Sequence, residues 1–267
     1  MKKSTVISIV CVVLFLIIGS MIFMKRDKPV TTTVKETEAD LPINTLAIED
    51  RPYVTLAPDA TGRTLVLSMD MLPKEGELEY EMIYDAGGSQ QGAFGTLILS
   101  SQSPIIKDVL LGSKSGGGKI SYHEGVTGGS LTLTYNNTRL KESWNYLKFD
   151  PADPSFSSVD GKFTVTLGKT ALKKDVYITT MKTFGYPKAG LPTETIKLAA
   201  GPYSYFTQAK AKGSAAIAIK LPAGDHINPT IYEWSTDSWK KLVTKLEGEM
   251  VTSTSLLPGS SYIVVAE

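Results

Sequence analysis

The amino-acid sequence predicts an all-β protein in which two antiparallel β-sandwich domains follow one N-terminal transmembrane helix. Short segments alternate apolar and polar residues with a period of two, and turn residues separate them at intervals typical of sandwiches. One uncharged apolar run stands near the N-terminus. With 42% apolar and 21% charged residues among 267, the composition suits globular domains and excludes wholesale disorder.

The apolar run is Thr5–Met24, which carries no charged residue. At about 1.5 Å of rise per residue, a helix of this length spans roughly 30 Å, the thickness of the hydrocarbon core of a bilayer. A cleaved signal peptide has a shorter apolar region and a small-residue cleavage site, whereas basic residues follow Met24 directly. We therefore expect residues 1–28 to be an uncleaved anchor with basic flanks. Cys11 lies deep in the run and is expected to be an ordinary apolar side chain.

The residues that flank the run decide little about its orientation. Lys2 and Lys3 precede it, and Lys25, Arg26 and Lys28 follow it, so the positive-inside comparison is almost even. The very short N-terminal tail and the Thr-, Ser-, Gly- and Tyr-rich remainder favour a cytoplasmic N-terminus. We expect a single-pass protein of the cell membrane with the bulk of the chain extracytoplasmic.

The net charge argues against nucleic acid as a partner. The chain has 28 basic and 27 acidic residues, and residues 31–267 alone have 23 and 26, a net charge of −3. A domain that neutralises many phosphates needs a clear basic excess, so neither nucleic acid nor an anionic membrane surface should attract this one. A single cysteine excludes a disulfide framework and a Cys-rich metal site, and two histidines leave little room for a His-based metal centre.

After the anchor, changes in composition divide the chain into a tether, two domains and the linker between them. Residues 29–50 are polar and rich in Thr and Glu, which predicts a tether. Strand patterns then fill residues 51–150, the first predicted sandwich domain. Two prolines within residues 150–154 (DPADP) break the pattern, because proline is not accommodated inside a central strand. We therefore place a linker at residues 151–161 and a second sandwich domain at residues 162–267.

The candidate strands share an alternation of apolar and polar residues or a short apolar run bounded by turn residues. In the first domain they are Thr64–Met71, Leu78–Tyr84, Ala93–Leu99, Ile105–Leu111, Leu131–Tyr135 and Ser143–Phe149. In the second domain they are Lys162–Leu167, Val176–Thr180, Ala215–Leu221, Thr230–Trp234 and Ser261–Ala266. Between seven and eight such strands per domain are typical of a sandwich.

One segment of the second domain has two interpretations. Trp239, Leu242, Val243 and Leu246 have the spacing of one helix face. A meander of short strands, with a turn at Ser235–Ser238, competes with the helix. The strand-rich surroundings favour the meander.

The C-terminal segment 256–265 (LLPGSSYIVV) resembles the L-x-P-G-[TS]-x-Y-x-V segment of fibronectin type III domains. The resemblance implies an immunoglobulin- or fibronectin-III-like sandwich, in which the Tyr262 hydroxyl bonds back to the backbone at a corner. A fibronectin module has one more strand than the sequence up to Glu267 provides. The resemblance therefore supports the corner and leaves the full module open.

Three segments of the first domain carry a further resemblance: residues 78–84 (LEYEMIY), 91–96 (QGAFGT) and 110–113 (LLGS). Through them the domain is similar to membrane-anchored bacterial sandwich proteins. The likeness implies a fold and a location at the cell envelope, and it implies no chemistry. The loop after Leu-Gly in such proteins often carries a cysteine pair, whereas Lys114 and Lys119 occupy that region here.

Residues 112–120 (GSKSGGGKI) imitate a phosphate-binding loop. The first glycine position of the motif holds Ser113, and Ile120 stands where a hydroxyl residue would bind magnesium. A strand pattern rather than a helix follows. We therefore interpret the segment as the tip of a hairpin.

The two histidines have the neighbourhoods His123-Glu124 and Asp225-His226. A nucleophilic triad needs a base within reach of Ser or Thr and a carboxylate that orients the base, and no G-x-S-x-G elbow marks such a set. Both histidines adjoin turns, where a solvated side chain is expected. No catalytic residue is assigned.

Three aspartates, Asp150, Asp153 and Asp160, cluster at the predicted domain boundary, with Glu142 upstream. Carboxylates ligate calcium in proteins, but Asp is also a favoured turn residue and the spacing matches no calcium loop. The calcium question stays open at this point, and no metal or cofactor is assigned.

Aromatic residues suggest a sugar platform or a core. Trp144, Trp234 and Trp239 adjoin strand patterns, which favours burial, whereas exposed aromatic side chains stack on sugar faces. The segment 136–138 (NNT) is a glycosylation sequon, to which we give little weight because we expect the chain to be bacterial.

Together these features predict a non-catalytic protein with a binding or structural role at the cell envelope. Its partners would be the lipid bilayer, through Thr5–Met24, and an unidentified protein or glycan. The alternative is an anchored hydrolase of envelope polysaccharide or peptide, in which a pair of carboxylates performs the chemistry.

Overall fold

The computed structural model describes residues 41–187, 190–192, 197–209, 211–235, 237–256 and 261–267. The predicted anchor Thr5–Met24 and the first part of the predicted tether lie outside these ranges. Within them, no helix has both the length and the apolar character that a membrane crossing requires. Residues 41–267 belong to one compact unit.

The described secondary structure consists of strands and one 3-10 turn at Ile48–Asp50, and the predicted all-β class is confirmed. The first ten strands are β1 (Tyr53–Pro58), β2 (Thr64–Asp70), β3 (Glu77–Ala86), β4 (Ser89–Ile98), β5 (Ile105–Leu110), β6 (Gly112–Lys114), β7 (Ile120–Tyr122), β8 (Val126–Tyr135), β9 (Thr138–Lys148) and β10 (Ser155–Ser157). The others are β11 (Phe163–Leu167), β12 (Tyr177–Lys182), β13 (Lys197–Phe206), β14 (Ala215–Lys220), β15 (Thr230–Ser235), β16 (Ser238–Lys241), β17 (Thr244–Glu247), β18 (Met250–Ser255) and β19 (Ser261–Ala266).

The described strands form several antiparallel sheets. The largest has nine strands in the order β16-β15-β19-β13-β12-β9-β8-β3-β4. A three-stranded sheet (β1-β2-β5) and a five-stranded sheet (β10-β11-β14-β18-β17) accompany it, and β6 and β7 form a separate hairpin.

Strict alternation of apolar and polar residues explains why segments such as β3 are strands. Leu78, Tyr80, Met82 and Tyr84 are buried on one face of β3, and the glutamates between them are exposed on the other. Successive side chains of a strand point to opposite faces, so this sequence buries one complete face. Each buried apolar side chain contributes about 1.5–3 kcal/mol relative to an exposed one.

Strands β9 and β12, which pair along Tyr177–Met181, contribute side chains to two separate hydrophobic cores. Trp144 of β9 and Met181 of β12 belong to the first core, together with residues of β1, β2, β3 and β8. Ile178 of β12 belongs to the second core, together with residues of β11, β14 and β19. The two strands are therefore packed on both faces.

Hydrogen bonds from β12 follow the same alternation. Thr179 Oγ1 donates to the carbonyl of Leu56 in β1. Thr180 Oγ1, one position further, donates 2.8 Å to the carbonyl of Ser157 in β10. Asn145 of β9 donates to that same carbonyl at 2.8 Å. These bonds attach the pair to the three-stranded sheet on one face and to the five-stranded sheet on the other.

The structure differs from the prediction in two connecting segments. Part of the predicted linker 151–161 is strand β10, which pairs with β11. The end of the predicted tether also contacts the sheet, because Asn44 exchanges 2.9 Å hydrogen bonds with the backbone of Lys141 in β9. The nine-stranded sheet contains strands from both before and after residues 151–161. The division into two sandwich domains stays a prediction.

The C-terminal part confirms the meander, and it gives Tyr262 a buried side-chain partner. Strands β16 and β17 occupy the segment for which a helix was the competing interpretation. The Tyr262 hydroxyl donates 2.9 Å to Oε1 of the buried Glu233. The backbone bond that the fibronectin resemblance implies stays a prediction, because residues 257–260 of the corner lie outside the described ranges. Burial raises the pKa of Tyr262 well above its ordinary value, so this phenol stays protonated.

Truncating Ile178 tests whether β12 couples the two cores. Ile178 is fully buried in the second core, so Ile178→Ala should lower the free energy of unfolding by about 2–5 kcal/mol. Because β12 also carries Met181 into the first core, unfolding followed by the fluorescence of Trp144 in that core should show the same loss of stability. The measurement is chemical denaturation of a variant that keeps Trp144 as its only tryptophan.

Ile227→Ala is the matched control, because Ile227 is 60% exposed and its truncation should change stability by less than about 0.5 kcal/mol. If the Trp144 transition stays at the wild-type position in Ile178→Ala, the two cores unfold independently and the coupling is wrong.

Two candidate functional sites

The β9–β12 pair ends in a cleft at the point where Lys148 pairs with Tyr177. The cleft has a volume of about 570 Å³, which is within the usual range for small-ligand sites. We call it the tyrosine cleft. Its principal lining residues are Arg63, Tyr122, His123, Tyr146, Lys148 and Tyr177.

Two tyrosines from the paired strands form the wall of the tyrosine cleft. The rings of Tyr146 and Tyr177 stack with centroids 5.2 Å apart and planes at 19°. The turn before β2 lies against Tyr177 at Gly62, where a Cβ atom would stand 2.1 Å from the ring. Gly62 also has a φ of +68°, so both the close approach and the backbone conformation require glycine.

Asp59 fixes the turn that carries Arg63 into the cleft. Its Oδ1 accepts hydrogen bonds from the backbone amides of Arg63 at 2.9 Å and Thr64 at 3.2 Å, and Thr61 Oγ1 donates 2.6 Å to Oδ2. Burial alone would raise the pKa of Asp59, but these hydrogen bonds outweigh it and lower the pKa. The carboxylate therefore stays ionised and holds the turn at neutral pH.

Two cations lie against aromatic rings at the rim. The Arg63 guanidinium carbon is 4.2 Å from the centroid of Tyr122, and Lys148 Nζ is 5.2 Å from the centroid of Tyr177. Such contacts are attractive by about 0.5–2 kcal/mol. Tyr122 is 38% exposed, so the rim combines positive charge with an accessible aromatic surface.

Tyr146 adds an unsatisfied polar group to the wall. Its hydroxyl is buried and has no hydrogen-bond partner among the described residues. A buried polar atom in this state costs about 1–3 kcal/mol. Burial also raises the pKa of Tyr146, so the group remains a neutral donor at physiological pH.

His123 is held by two hydroxyl groups, which corrects the expectation of a solvated side chain. Its Nδ1 lies 3.0 Å from the Tyr84 hydroxyl, and its Nε2 lies 3.0 Å from Ser113 Oγ on the β6–β7 hairpin. The Ser–His distance matches a nucleophile and its base, but a phenol rather than a carboxylate stands behind the imidazole. Burial raises the pKa of Tyr84, which keeps that phenol neutral.

A second site lies towards the other end of the same strand pair. Glu142 of β9 and Lys182 of β12 line a cavity of about 150 Å³ together with Asp160 from the segment before β11. We call it the carboxylate pocket.

The strongly raised pKa of Glu142 is the main indication of chemistry in the carboxylate pocket. Burial raises its pKa from 4.5 to about 7; Lys182 and Arg51 partly oppose the shift, and Asp160 adds to it. Arg51 Nη1 is 3.9 Å from Glu142 Oε1, and Asn44 Nδ2 donates 3.3 Å to the same oxygen. Glu142 is therefore partly protonated near neutral pH.

Asp160 has the opposite protonation behaviour. Burial alone would raise its pKa, but hydrogen bonds from Ser158 Oγ at 2.6 Å, the Lys162 amide at 3.1 Å and the Tyr203 hydroxyl at 2.9 Å lower it. The pocket thus combines a protonated carboxyl with an ionised one, the pattern of a general acid and a base.

The other aspartates of the predicted boundary cluster have local roles. Asp150 Oδ1 accepts the amide of Ala152 at 2.9 Å, and Asp150 and Asp153 close one turn. Across the described ranges, no group of three or more His, Cys, Asp or Glu side chains is arranged to hold a metal ion. Asp160 and Glu142 are the two boundary carboxylates that share a cavity.

The remaining sequence motifs have structural explanations. Residues 112–120 form the predicted hairpin, closed by the Ser115 amide donating 2.9 Å to Lys119 O. Trp144 is fully buried, as predicted. Trp234 and Trp239 are half-buried, and their rings meet edge to face at 5.2 Å on the β15–β16 edge. His226 donates 3.0 Å to the carbonyl of Pro222 in its own turn.

No protein-family model matches this chain, and no curated protein is found to be its relative. The tyrosine cleft and the carboxylate pocket are therefore the basis for a functional proposal.

Substituting Glu142 tests its raised pKa. Between pH 4.5 and about 7, the folded state keeps a proton on Glu142 that the unfolded chain has already released. The stability that this proton contributes is therefore fully present below pH 4.5 and is lost as the pH rises through about 7. At about 1.4 kcal/mol per pH unit, this group accounts for a loss of about 3 kcal/mol. Glu142→Gln, which cannot ionise, should remove most of that loss. Chemical denaturation of both proteins at pH 4.5, 6, 7 and 8 measures the difference.

Glu81→Gln is the matched control, because Glu81 is exposed on β3 and its replacement should leave the pH dependence of unfolding as in the wild type. Parallel curves for wild type and Glu142→Gln would contradict the raised pKa.

Proposed function

We propose that this chain is a non-catalytic binding protein of the cell envelope, anchored by Thr5–Met24, whose tyrosine cleft binds a glycan. Its two cores correspond to two immunoglobulin-like sandwich units in this proposal, held outside the membrane with the N-terminus in the cytoplasm. The observation that carries the proposal is the combination of an exposed tyrosine and two cations around one cleft.

The geometry of the tyrosine cleft suits a sugar better than an apolar ligand. Sugar rings present an apolar face that stacks on an aromatic ring and a rim of hydroxyl groups that need partners. Tyr122 supplies an exposed aromatic surface, and Glu124 and Thr127 supply exposed polar groups. A volume of about 570 Å³ accommodates a small oligosaccharide segment.

The charges at the rim favour a particular class of glycan. Arg63 and Lys148 both line the cleft, with Glu124 as the acidic member of the lining. A guanidinium binds carboxylate and phosphate groups through paired hydrogen bonds. We therefore expect a glycan that bears carboxylate or phosphate substituents, as envelope polysaccharides do.

Two substitutions test binding in the tyrosine cleft. Tyr122→Ala removes the stacking surface and Arg63→Ala removes the anion-binding group, so each should weaken binding about tenfold, equivalent to about 1.4 kcal/mol. The ligands are uronic-acid and phosphate-bearing oligosaccharides with neutral oligosaccharides for comparison, and calorimetry on the full chain in detergent measures Kd.

Tyr232→Ala is the matched control, since Tyr232 is a half-buried tyrosine of β15 outside the cleft. Equal losses in Tyr232→Ala and Tyr122→Ala would move the binding site elsewhere. Absence of binding of any oligosaccharide by the wild type would end the glycan proposal.

A second candidate function, an anchored hydrolase, is favoured by the carboxylate pocket. Glu142 would donate a proton to a leaving group, and Asp160 would act as base or nucleophile, as two carboxylates do in glycoside hydrolysis. The cavity of about 150 Å³ holds only a few water molecules, at roughly 30 Å³ each, which places this function second.

Hydrolysis is tested with envelope polysaccharide as substrate and reducing-end release as the readout. If the hydrolase is correct, Glu142→Gln and Asp160→Asn should each reduce the rate by at least about 100-fold, because each removes a proton-transfer group. Under the preferred proposal the wild type shows no release above that of Glu142→Gln. Release that depends on Glu142 would therefore replace the binding proposal.

A further inference from the structure

Strand β4 is an open edge of the nine-stranded sheet. Its only partner among the described strands is β3, which it meets along its whole length. Its sequence, SQQGAFGTLI, contains neither a charged residue nor a proline. Proteins usually protect a long edge strand with lysine, proline, a bulge or a covering segment, because its free backbone groups pair with other strands.

The outer face of β4 is also apolar. Phe94 is 80% exposed and Ile98 is 71% exposed, and both lie on the face that alternates with the core-facing side. Single exposed apolar side chains are ordinary, but here two lie on the same face of one uncharged edge strand, with Thr96 between them.

On its open side, β4 has backbone groups that pair with none of the described strands. The Gly87-Gly88 turn joins β3 and β4, so Ala86 and Ser89 form the closing pair, which exchanges both hydrogen bonds. Pairs then alternate along the hairpin, and every second residue of β4 directs its N–H and C=O away from β3. These residues are Gln90, Gly92, Phe94, Thr96 and Ile98.

The first hydrophobic core is incompletely covered at the same edge. Ala93 and Leu97 of β4 and Ile105 of β5 pack against that core but are only partly buried. An added strand beside β4 would cover the first two from the side. The open edge is therefore both a hydrogen-bonding template and the border of a core.

We infer that β4 pairs with β4 of a second copy of this chain, in an antiparallel arrangement about a two-fold axis. The pairing joins two nine-stranded sheets into one continuous sheet. A two-fold interface needs a self-complementary surface, and an uncharged strand with a central aromatic residue provides one.

Charge favours a second copy over an acidic partner. Three exposed glutamates of β3, Glu77, Glu79 and Glu81, lie directly beside β4, opposite Ile98, Thr96 and Phe94 in the register. An acidic strand on β4 would be repelled by this row. In the symmetric pair, the two glutamate rows are separated by three strand spacings, about 14 Å, which exceeds the screening length of about 8 Å at physiological salt.

The register of the pair follows from full overlap of the open-side residues. Centring the axis on Phe94 places Phe94 opposite Phe94 of the second copy and Gly92 opposite Thr96. Every open-side N–H and C=O then has a partner, about ten hydrogen bonds in all. The glycine leaves space beside the aromatic ring, an arrangement that stabilises paired strands.

The test is the mass of the full chain in detergent, measured by light scattering between about 1 and 100 μM. We expect a dimer for the wild type and a monomer for Phe94→Lys, because the substitution places two ammonium groups opposite each other. The dimer Kd should rise at least tenfold. Val243→Lys is the matched control, because Val243 is 89% exposed but lies between β16 and β17, and it should remain dimeric.

Crosslinking tests the register independently of mass. In a Cys11→Ser background, Phe94→Cys should be joined into a covalent dimer by a short bis-maleimide reagent, because opposed Cβ atoms in paired strands lie about 5 Å apart. Val243→Cys should not. A monomeric wild type at 100 μM overturns the inference, whether or not a different protein binds β4. A dimer that survives Phe94→Lys also overturns it.

Discussion

The antiparallel pairing of β9 with β12 is the contact on which the remaining structure depends. It joins strands separated by the predicted linker and makes one sheet of what the sequence divides into two halves. Because alternate side chains of both strands enter different cores, the pair is packed on both faces. The same pairing sets the positions of Tyr146 and Tyr177 at one end and of Glu142 and Lys182 towards the other.

The two candidate sites differ in volume, about 570 Å³ for the tyrosine cleft and about 150 Å³ for the carboxylate pocket, and this difference decides their order. The tyrosine cleft combines accessible aromatic and cationic side chains with a volume that admits a ligand. The carboxylate pocket owes the raised pKa of Glu142 to burial, and its volume of about 150 Å³ is too small for a sugar ligand of the size that the cleft admits. A buried carboxyl beside Arg51 also occurs as a structural element, so the shifted pKa alone is weaker support than an accessible surface.

Local patterns in the sequence predict the strands well but predict their partners poorly. The alternation along Leu78–Tyr84 identifies β3 because that signal is contained within one segment. Strands β1, β13 and β18 are absent from the predicted set. In β13, Ala199-Ala200-Gly201-Pro202 interrupts the alternating pattern and shifts the register against β19. His123 was expected to be solvated because a turn adjoins it, whereas its partners, Tyr84 and Ser113, come from other strands. The sequence shows Glu142 only as a carboxylate upstream of the aspartate cluster, because the burial that shifts its pKa arises from tertiary packing.

Hydrogen exchange of the full chain, with and without a saturating carboxylate- or phosphate-bearing oligosaccharide, tests the central claim most directly. If the β9–β12 pair builds the binding site, protection will increase in residues 61–63, 122–127 and 146–148 and at Tyr177, while β4 and β15 stay unchanged. Protection confined to residues 142–143 and 158–160 would instead place the ligand in the carboxylate pocket. An unchanged exchange pattern around the tyrosine cleft, with the oligosaccharide bound, would contradict the account.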